Sequence, residues 1–274
     1  MISEAKKALF LDLDGTLLTD DKKIPEGNRR ALEQMLAAGH SVIITTGRPL
    51  SSALLEAGEL GLTGEGCYLI AYNGGLLYDT ANRKVIFEKT IPLPLVYDVF
   101  DEANARGVHI QTYDDTDVVV EPRCDNDIVR FYCGRIGMTH RVIDDIRHLE
   151  KEPVKMLLID LESRDHTEPL RQWIIEKHGG DLDGFFSSSA YLEIVSKGLD
   201  KGSALEQMAG LLHIPMENTI SAGDAENDVP MIRAAHLGCA VANAVPECKA
   251  VADYITERDN NHDAVAEIIE KFIL

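Results

Sequence analysis

A short apolar run that ends abruptly in acid places the strongest constraint on this chain. Residues 8–18 read ALFLDLDGTLL, so a strand candidate runs straight into Asp12 and Asp14 and, past Gly15 and Thr16, turns apolar again. Carboxylates beside a buried segment are costly unless they reach water at the strand end or meet a cation. Asp12 and Asp14 stand two apart, so on extended backbone they project to one side, and Gly15 lets the chain turn directly after them. Two carboxylates then share a pocket at the carboxyl-terminal end of a strand, the edge at which open α/β sheets bind ligands.

The neighbouring sequence supplies such a sheet. KALFLDL (7–13) and HSVIITT (40–46) are strand-like, and between them PEGNRRALEQMLAAG (25–39) has the Pro start and Gly stop of a helix. That is a βαβ unit, the signature of a parallel sheet covered by helices. CYLIAYNGG (67–75) is a further apolar run closing in a turn. From about residue 84 the texture changes: KVIFEKTI and GVHIQTY flank a helical PLVYDVFDEANAR, and VKMLLIDL and AYLEIVS flank EPLRQWIIEKHGG. EPRCDNDIVRFYCGRIG (121–137) reads as a loop and helix of the same inserted α/β unit. After residue 196 the first texture returns, with helical KGSALEQMAGLLH, strand-like NTISAGD, helical NDVPMIRAA, strand-like LGCAVAN and a closing helix HDAVAEIIEKFIL. The expected division is 1–83, an insertion at 84–190, and 191–274, in keeping with the two domains that 274 residues suggest.

SAGDAENDVPMI (221–232) repeats the opening signal: an apolar strand runs into Asp224, with Asn227 and Asp228 at the start of a helix. In a parallel sheet two such strand ends lie close together, and their clustered carboxylates require a cation. The candidate ligands are hard oxygens without His or Cys, which favours Mg²⁺ over Zn²⁺. An EF-hand is excluded, because Gly15 stands fourth where that loop needs its glycine sixth, and Lys23 occupies the place of its final Glu. The formal charge of -19 argues against nucleic acid as a partner. No apolar run approaches the length of a membrane span, and the amino terminus lacks a signal-peptide pattern. Five cysteines without C-x-x-C spacing read as free thiols of a cytoplasmic protein.

Two further groups fit an anion. VIITTGRP places Thr46 at a strand end, followed by Gly47 and Arg48, where a hydroxyl and backbone N–H groups can hold a phosphate oxygen. SKGLDKGSAL offers Lys197 and Lys201 before a helix, each a compact charge suited to phosphate. Taken together, Asp12-Leu13-Asp14-Gly15-Thr16, Thr46, Lys201 and Gly223-Asp224 through Asn227-Asp228 resemble, in order, the four motifs of the haloacid dehalogenase superfamily of phosphatases. The Thr-Gly-Arg form of the second motif, Asn73-Gly74-Gly75 and the insertion after it resemble the Cof-type, subclass IIB members, and the likeness spans nearly the whole chain.

The resemblance implies a Rossmann-like parallel-sheet core with an inserted α/β cap of the C2 type. It also implies Mg²⁺-dependent hydrolysis of phosphate monoesters of sugars or other small metabolites. Carried onto this sequence, Asp12 is the nucleophile and Asp14 the general acid and base. Asp12, the carbonyl of Asp14, Asp224 and Asp228 form the metal set. Thr46 and Lys201 hold the transferring oxygens, Asn227 orients Lys201 or touches phosphate, and Gly47, Arg48 and Asn73 complete substrate binding, the last two near the junction of core and cap. A monomer or homodimer acting on a small phosphorylated metabolite is the expected assembly. A dehalogenase would not need Asp14 to protonate a departing halide; a phosphomutase on sugar phosphates, or a silent ligand sensor of the same fold, are the remaining alternatives.

Overall fold

The computed structural model describes residues 6–274 and groups them into two compact units. One holds the described residues up to Gly47, then Glu56–Ile86 and Asp200–Leu274; the other holds Arg48–Leu55 and Phe87–Leu199.

In chain order the elements begin with β1 (Ala8–Leu11), α1 (Glu26–Ala37), β2 (Ser41–Thr45), α2 (Leu50–Leu60), β3 (Cys67–Ala71), β4 (Leu76–Asp79) and β5 (Lys84–Glu88). The second unit adds α3 (Leu93–Arg106), β6 (His109–Tyr113), β7 (Asp117–Val120), α4 (Asp127–Ile136), β8 (Thr139–Val142), β9 (Lys155–Ile159), α5 (Thr167–His178), β10 (Leu182–Phe186) and β11 (Tyr191–Ser196). The chain closes with α6 (Lys201–Leu211), β12 (Thr219–Gly223), α7 (Val229–Ala234), β13 (Leu237–Ala240), α8 (Pro246–Lys249), β14 (Tyr254–Ile255) and α9 (Ala264–Phe272).

The first sheet runs β14-β13-β12-β1-β2-β3-β4-β5. Its six strands from β14 to β3 are mutually parallel, and β4 returns antiparallel to β3. β1 sits between β12 and β2, with Leu11 beside Ala222 on one side and Ile44 on the other. Its residues Ala8–Leu11 are wholly buried, which is why they read as a continuous apolar run instead of an alternating one. The order reverses at β1: β2 and β3 lie to one side, β12 and β13 to the other. That is the switch point at which doubly wound sheets open a crevice.

The second sheet runs β10-β11-β9-β6-β7-β8, antiparallel apart from the β7–β8 pair. KVIFEKTI reads as the start of the insertion, and its first five residues form β5 at the edge of the first sheet, with the division between the units falling inside that strand, after Ile86. The β5 residues are exposed or half-buried, and such an edge fits either sheet until its nonlocal partner is known. All five cysteines are free and buried. Among the described residues no helix is long and apolar enough to cross a membrane.

Candidate active site

Parallel pairing brings the carboxyl-terminal ends of β1, β2, β3 and β12 to one edge, so Asp12, Thr46, the Tyr72–Gly74 turn and Asp224 follow adjacent strands there. One oxygen from each of Asp12, Asp224 and Asp228 lies within 4.8 Å of the others. The two acidic segments, more than two hundred residues apart in the sequence, thus form one cluster.

Lys201 is the cation inside that cluster. It opens α6 and is fully buried, with Nζ 2.5 Å from Asp12 Oδ1 and 2.5 Å from Asp228 Oδ1. The helix start is locked by a reciprocal cap: Asp200 Oδ1 accepts from the Ser203 N–H at 2.7 Å, and Ser203 Oγ accepts from the Asp200 N–H at 3.1 Å. Asp228 is fully engaged, because its other oxygen accepts the N–H groups of Asp224 and Ala225 at 2.9 and 3.0 Å. It therefore braces the turn that presents Asp224 and at the same time orients Lys201. Asn227 Nδ2 donates to Asn73 Oδ1 at 3.0 Å, while the two oxygens on Lys201 Nζ come from Asp12 and Asp228.

Burial dominates the electrostatics. It pushes the Asp12 carboxyl well above the usual range, with the Asp228 charge adding to it and Lys201 opposing. Burial and then the Asp228 charge lift Asp224 to about 6. Burial also works against the Lys201 ammonium, but Asp12 and Asp228 outweigh it and hold the lysine above its ordinary value. Three acids against one buried lysine leave an excess of negative charge that a divalent cation with oxygen ligands would neutralise.

The loop after β1 is built around a close approach. Gly15 has φ +89°, and a Cβ there would lie 2.5 Å from Asp224 Oδ2, so both conformation and space demand glycine. Thr16 Oγ1 donates to Asp224 Oδ1 at 2.8 Å, and Asn243 Nδ2 donates to the Gly15 carbonyl at 2.8 Å. Asp14 faces outward, half-exposed, and pairs with Lys22 at 2.6 Å. Thr46 is buried at the end of β2, its N–H on the Ile70 carbonyl and its own carbonyl accepting from the Asn73 N–H. Gly47 follows it in the same unit, whereas Arg48 belongs to the second unit. Lys197 also lies in the second unit, where it pairs with Asp183 at 2.6 Å.

Thr16, Lys22 and Asn243 hold the site together without having been assigned a role from the sequence. Asn243 carried a readable signal, since LGCAVAN, like the runs that lead into Asp12 and Asp224, is an apolar run that ends in a polar residue. Thr16 stood in the first motif with no assigned contact. Nothing local announces Lys22.

A sequence profile described as haloacid dehalogenase-like hydrolase matches residues 9–269. A protein of Streptococcus pyogenes serotype M6 named as a phosphatase is 31% identical over 275 residues, covering 98% of each chain. A 5-amino-6-(5-phospho-D-ribitylamino)uracil phosphatase of Bacillus subtilis is 27% identical over 270 residues, covering 96% of each. Among solved structures, a haloacid dehalogenase-like hydrolase from Bacteroides thetaiotaomicron superposes with a TM-score of 0.87 at 29% identity, covering 97% of this chain and 98% of the other.

Proposed function

Because the chain belongs to the haloacid dehalogenase-like hydrolases and is a phosphatase of that family, we propose that it hydrolyses phosphate monoesters of sugars or similar small metabolites, with Mg²⁺, through a phosphoryl group carried on Asp12. The observation that carries this reading is the cluster of Asp12, Asp224 and Asp228 around the buried Lys201. The Bacillus subtilis relative, named for a phosphorylated ribityl compound, supports a small polyhydroxylated substrate.

The donor set fits magnesium. It consists of hard carboxylate oxygens from three acids that lie within 4.8 Å of one another, a donor set of the kind that suits this ion. Asp12, Asp224 and the carbonyl of Asp14 would hold the ion, with Asp228 at the margin because both of its oxygens are engaged. When bound, the ion supplies charge neutralisation between the acids and the phosphate.

In the first step Asp12 attacks phosphorus in line, forming the aspartyl-phosphate as the P–O bond to the leaving group breaks. Asp14 gives its proton to the departing alkoxide; its outward, half-exposed position suits a group that meets the leaving oxygen. In the second step Asp14 takes a proton from water, which attacks phosphorus and frees Asp12 and inorganic phosphate. Lys201 and Thr46 stabilise charge on the transferring oxygens.

Phosphate release from p-nitrophenyl phosphate, with and without Mg²⁺, tests the reading. The wild type should turn over only with the divalent ion, and Asp12→Asn, which keeps the shape but removes the nucleophilic charge, should fall to background. Near-wild-type turnover by Asp12→Asn would remove Asp12 from this role.

A further inference from the structure

The turn after β3 carries a conformational cost that packing alone does not explain. Tyr72 and Asn73 have φ of +52° and +55°, and Gly74 has φ of +111°, three successive residues in the left-handed half of backbone space. For a bulky side chain such as Tyr this is a true outlier, and strain of that kind collects at functional sites. The turn is pressed from two sides. A Cβ on Gly74 would stand 2.6 Å from the Asp200 carbonyl, at the cap of the helix that carries Lys201, and a Cβ on Gly47 would stand 3.0 Å from the Asn73 amide.

Asn73 is the centre of this arrangement. Its N–H donates to the Thr46 carbonyl at 3.0 Å, and its Oδ1 accepts from Asn227 Nδ2 at 3.0 Å. The residue is fully buried, yet among the described residues Nδ2 has no hydrogen-bond partner. A buried amide nitrogen left unpaired is expensive, and such a group in a native structure calls for an acceptor beyond the chain or a functional role. Asn73 itself contacts the segments bearing Thr46 and Asn227, and Gly74 beside it meets the cap of the Lys201 helix. Thr46 and Lys201 are proposed above to hold the transferring oxygens, which makes an anionic oxygen the acceptor that fits Nδ2.

We propose that Asn73 joins these three loops into one phosphate cradle and donates from Nδ2 to an oxygen of the bound phosphoryl group. This rests on the phosphatase reading and extends it, giving the strained turn a binding role.

The test is calorimetric titration of inorganic phosphate, in the presence of Mg²⁺, into the wild type and Asn73→Gly, alongside steady-state kinetics with p-nitrophenyl phosphate. Glycine keeps the left-handed backbone while removing the donor. The expected result is a melting temperature close to wild type, phosphate binding weakened about tenfold or more, and a matching rise in KM. Asn73→Asp is the second variant, retaining an acceptor for Asn227 and tolerance of positive φ while losing the donor; it should bind phosphate more weakly still.

Wild-type phosphate affinity in either folded variant overturns the proposal. Loss of phosphate binding only in proportion to unfolding does so too. A wild type that binds phosphate through Asn73 but releases none from esters overturns the phosphatase reading alone. A wild type that binds no phosphate overturns both.

Discussion

Asp14 and Gly15 are adjacent, yet each constrains a different part of the chemistry. In the proposed mechanism the proton from Asp14 matters in proportion to the basicity of the leaving group. Asp14→Asn should therefore lower kcat toward sugar phosphates by about a hundredfold or more, while p-nitrophenyl phosphate, whose leaving group departs unprotonated, loses less than about tenfold. Equal losses on the two substrates would make Asp14 a shaping residue and no more. For Gly15 the expected effect is on stability and metal binding. Gly15→Ala drives a methyl group into the Asp224 carboxylate at a position with φ +89°, so chemical denaturation should show a loss of about 2 kcal/mol or more. Mg²⁺ titration of the same variant should show weakened binding, because Asp224 must move. The sequence announced both residues, since apolar strands ending in acid are rare and carry a physical demand. The Asn73-Gly74-Gly75 motif marked Asn73 as a substrate-binding candidate, but its bonds to Thr46 and Asn227, like the pairing of Lys22 with Asp14, depend on turn geometry and on contacts that no local pattern encodes.

At the scale of elements, the parallel core was legible because βαβ units bury their strands on both faces and so write continuous apolar runs into the chain. β4, β7, β8, β10 and β14 were not read as strands. They are short, and several lie at sheet edges where exposure dilutes the apolar signal, as in β8 with its exposed Thr139, Arg141 and Val142. β5 was visible as a strand and read with the insertion, since pairing is a nonlocal choice. Helix α6 shows how an element can position a group of the proposed site: its first residue is Lys201, so the cap that fixes the helix start also fixes the ammonium between Asp12 and Asp228. Asp200→Ala removes the acceptor for the Ser203 N–H and should cost about 1 kcal/mol of stability in denaturant melts. It should also reduce turnover with every substrate tested, because the lysine sits in the turn that frays. A stability loss with turnover unchanged at a temperature where the variant is folded would uncouple the cap from the lysine.

Over the whole molecule, an excess of acid is both a solubility device and a latent instability, and the site concentrates it. At -19 the chain carries self-repulsion everywhere, but surface charges are screened over about 8 Å at physiological salt while buried ones are not. Asp224 is raised to about 6 and Asp12 is raised as well, so the folded, metal-free chain holds these protons more tightly than the unfolded chain does. Their contribution to stability is therefore present at acid pH and is lost as pH rises from the unfolded value, about 4, through the folded value of about 6 for Asp224. Carboxylates held below their usual range, such as Asp98 and Asp160, act in the opposite direction, but only as pH falls below about 4. His109, which burial lowers to about 4, contributes in the opposite direction over this range. The decline from pH 4.5 to pH 7 is therefore expected in the part of the chelated chain's stability that Asp224→Asn removes, read as wild type minus variant in melts across about pH 4 to 7. At the proposed site Mg²⁺ would compete with those protons, so a saturating concentration should raise the melting temperature by about 5 °C near neutral pH and by clearly less at acid pH. Asp224→Asn separates this from general charge repulsion, because it removes one titrating ligand from the cluster while changing the net charge by a single unit. In that variant the Mg²⁺-induced rise should largely vanish and the chelated protein should be more stable than wild type at neutral pH. An Mg²⁺ effect of equal size at both pH values, retained in Asp224→Asn, would mean that the ion acts on the diffuse surface charge and not at the cluster.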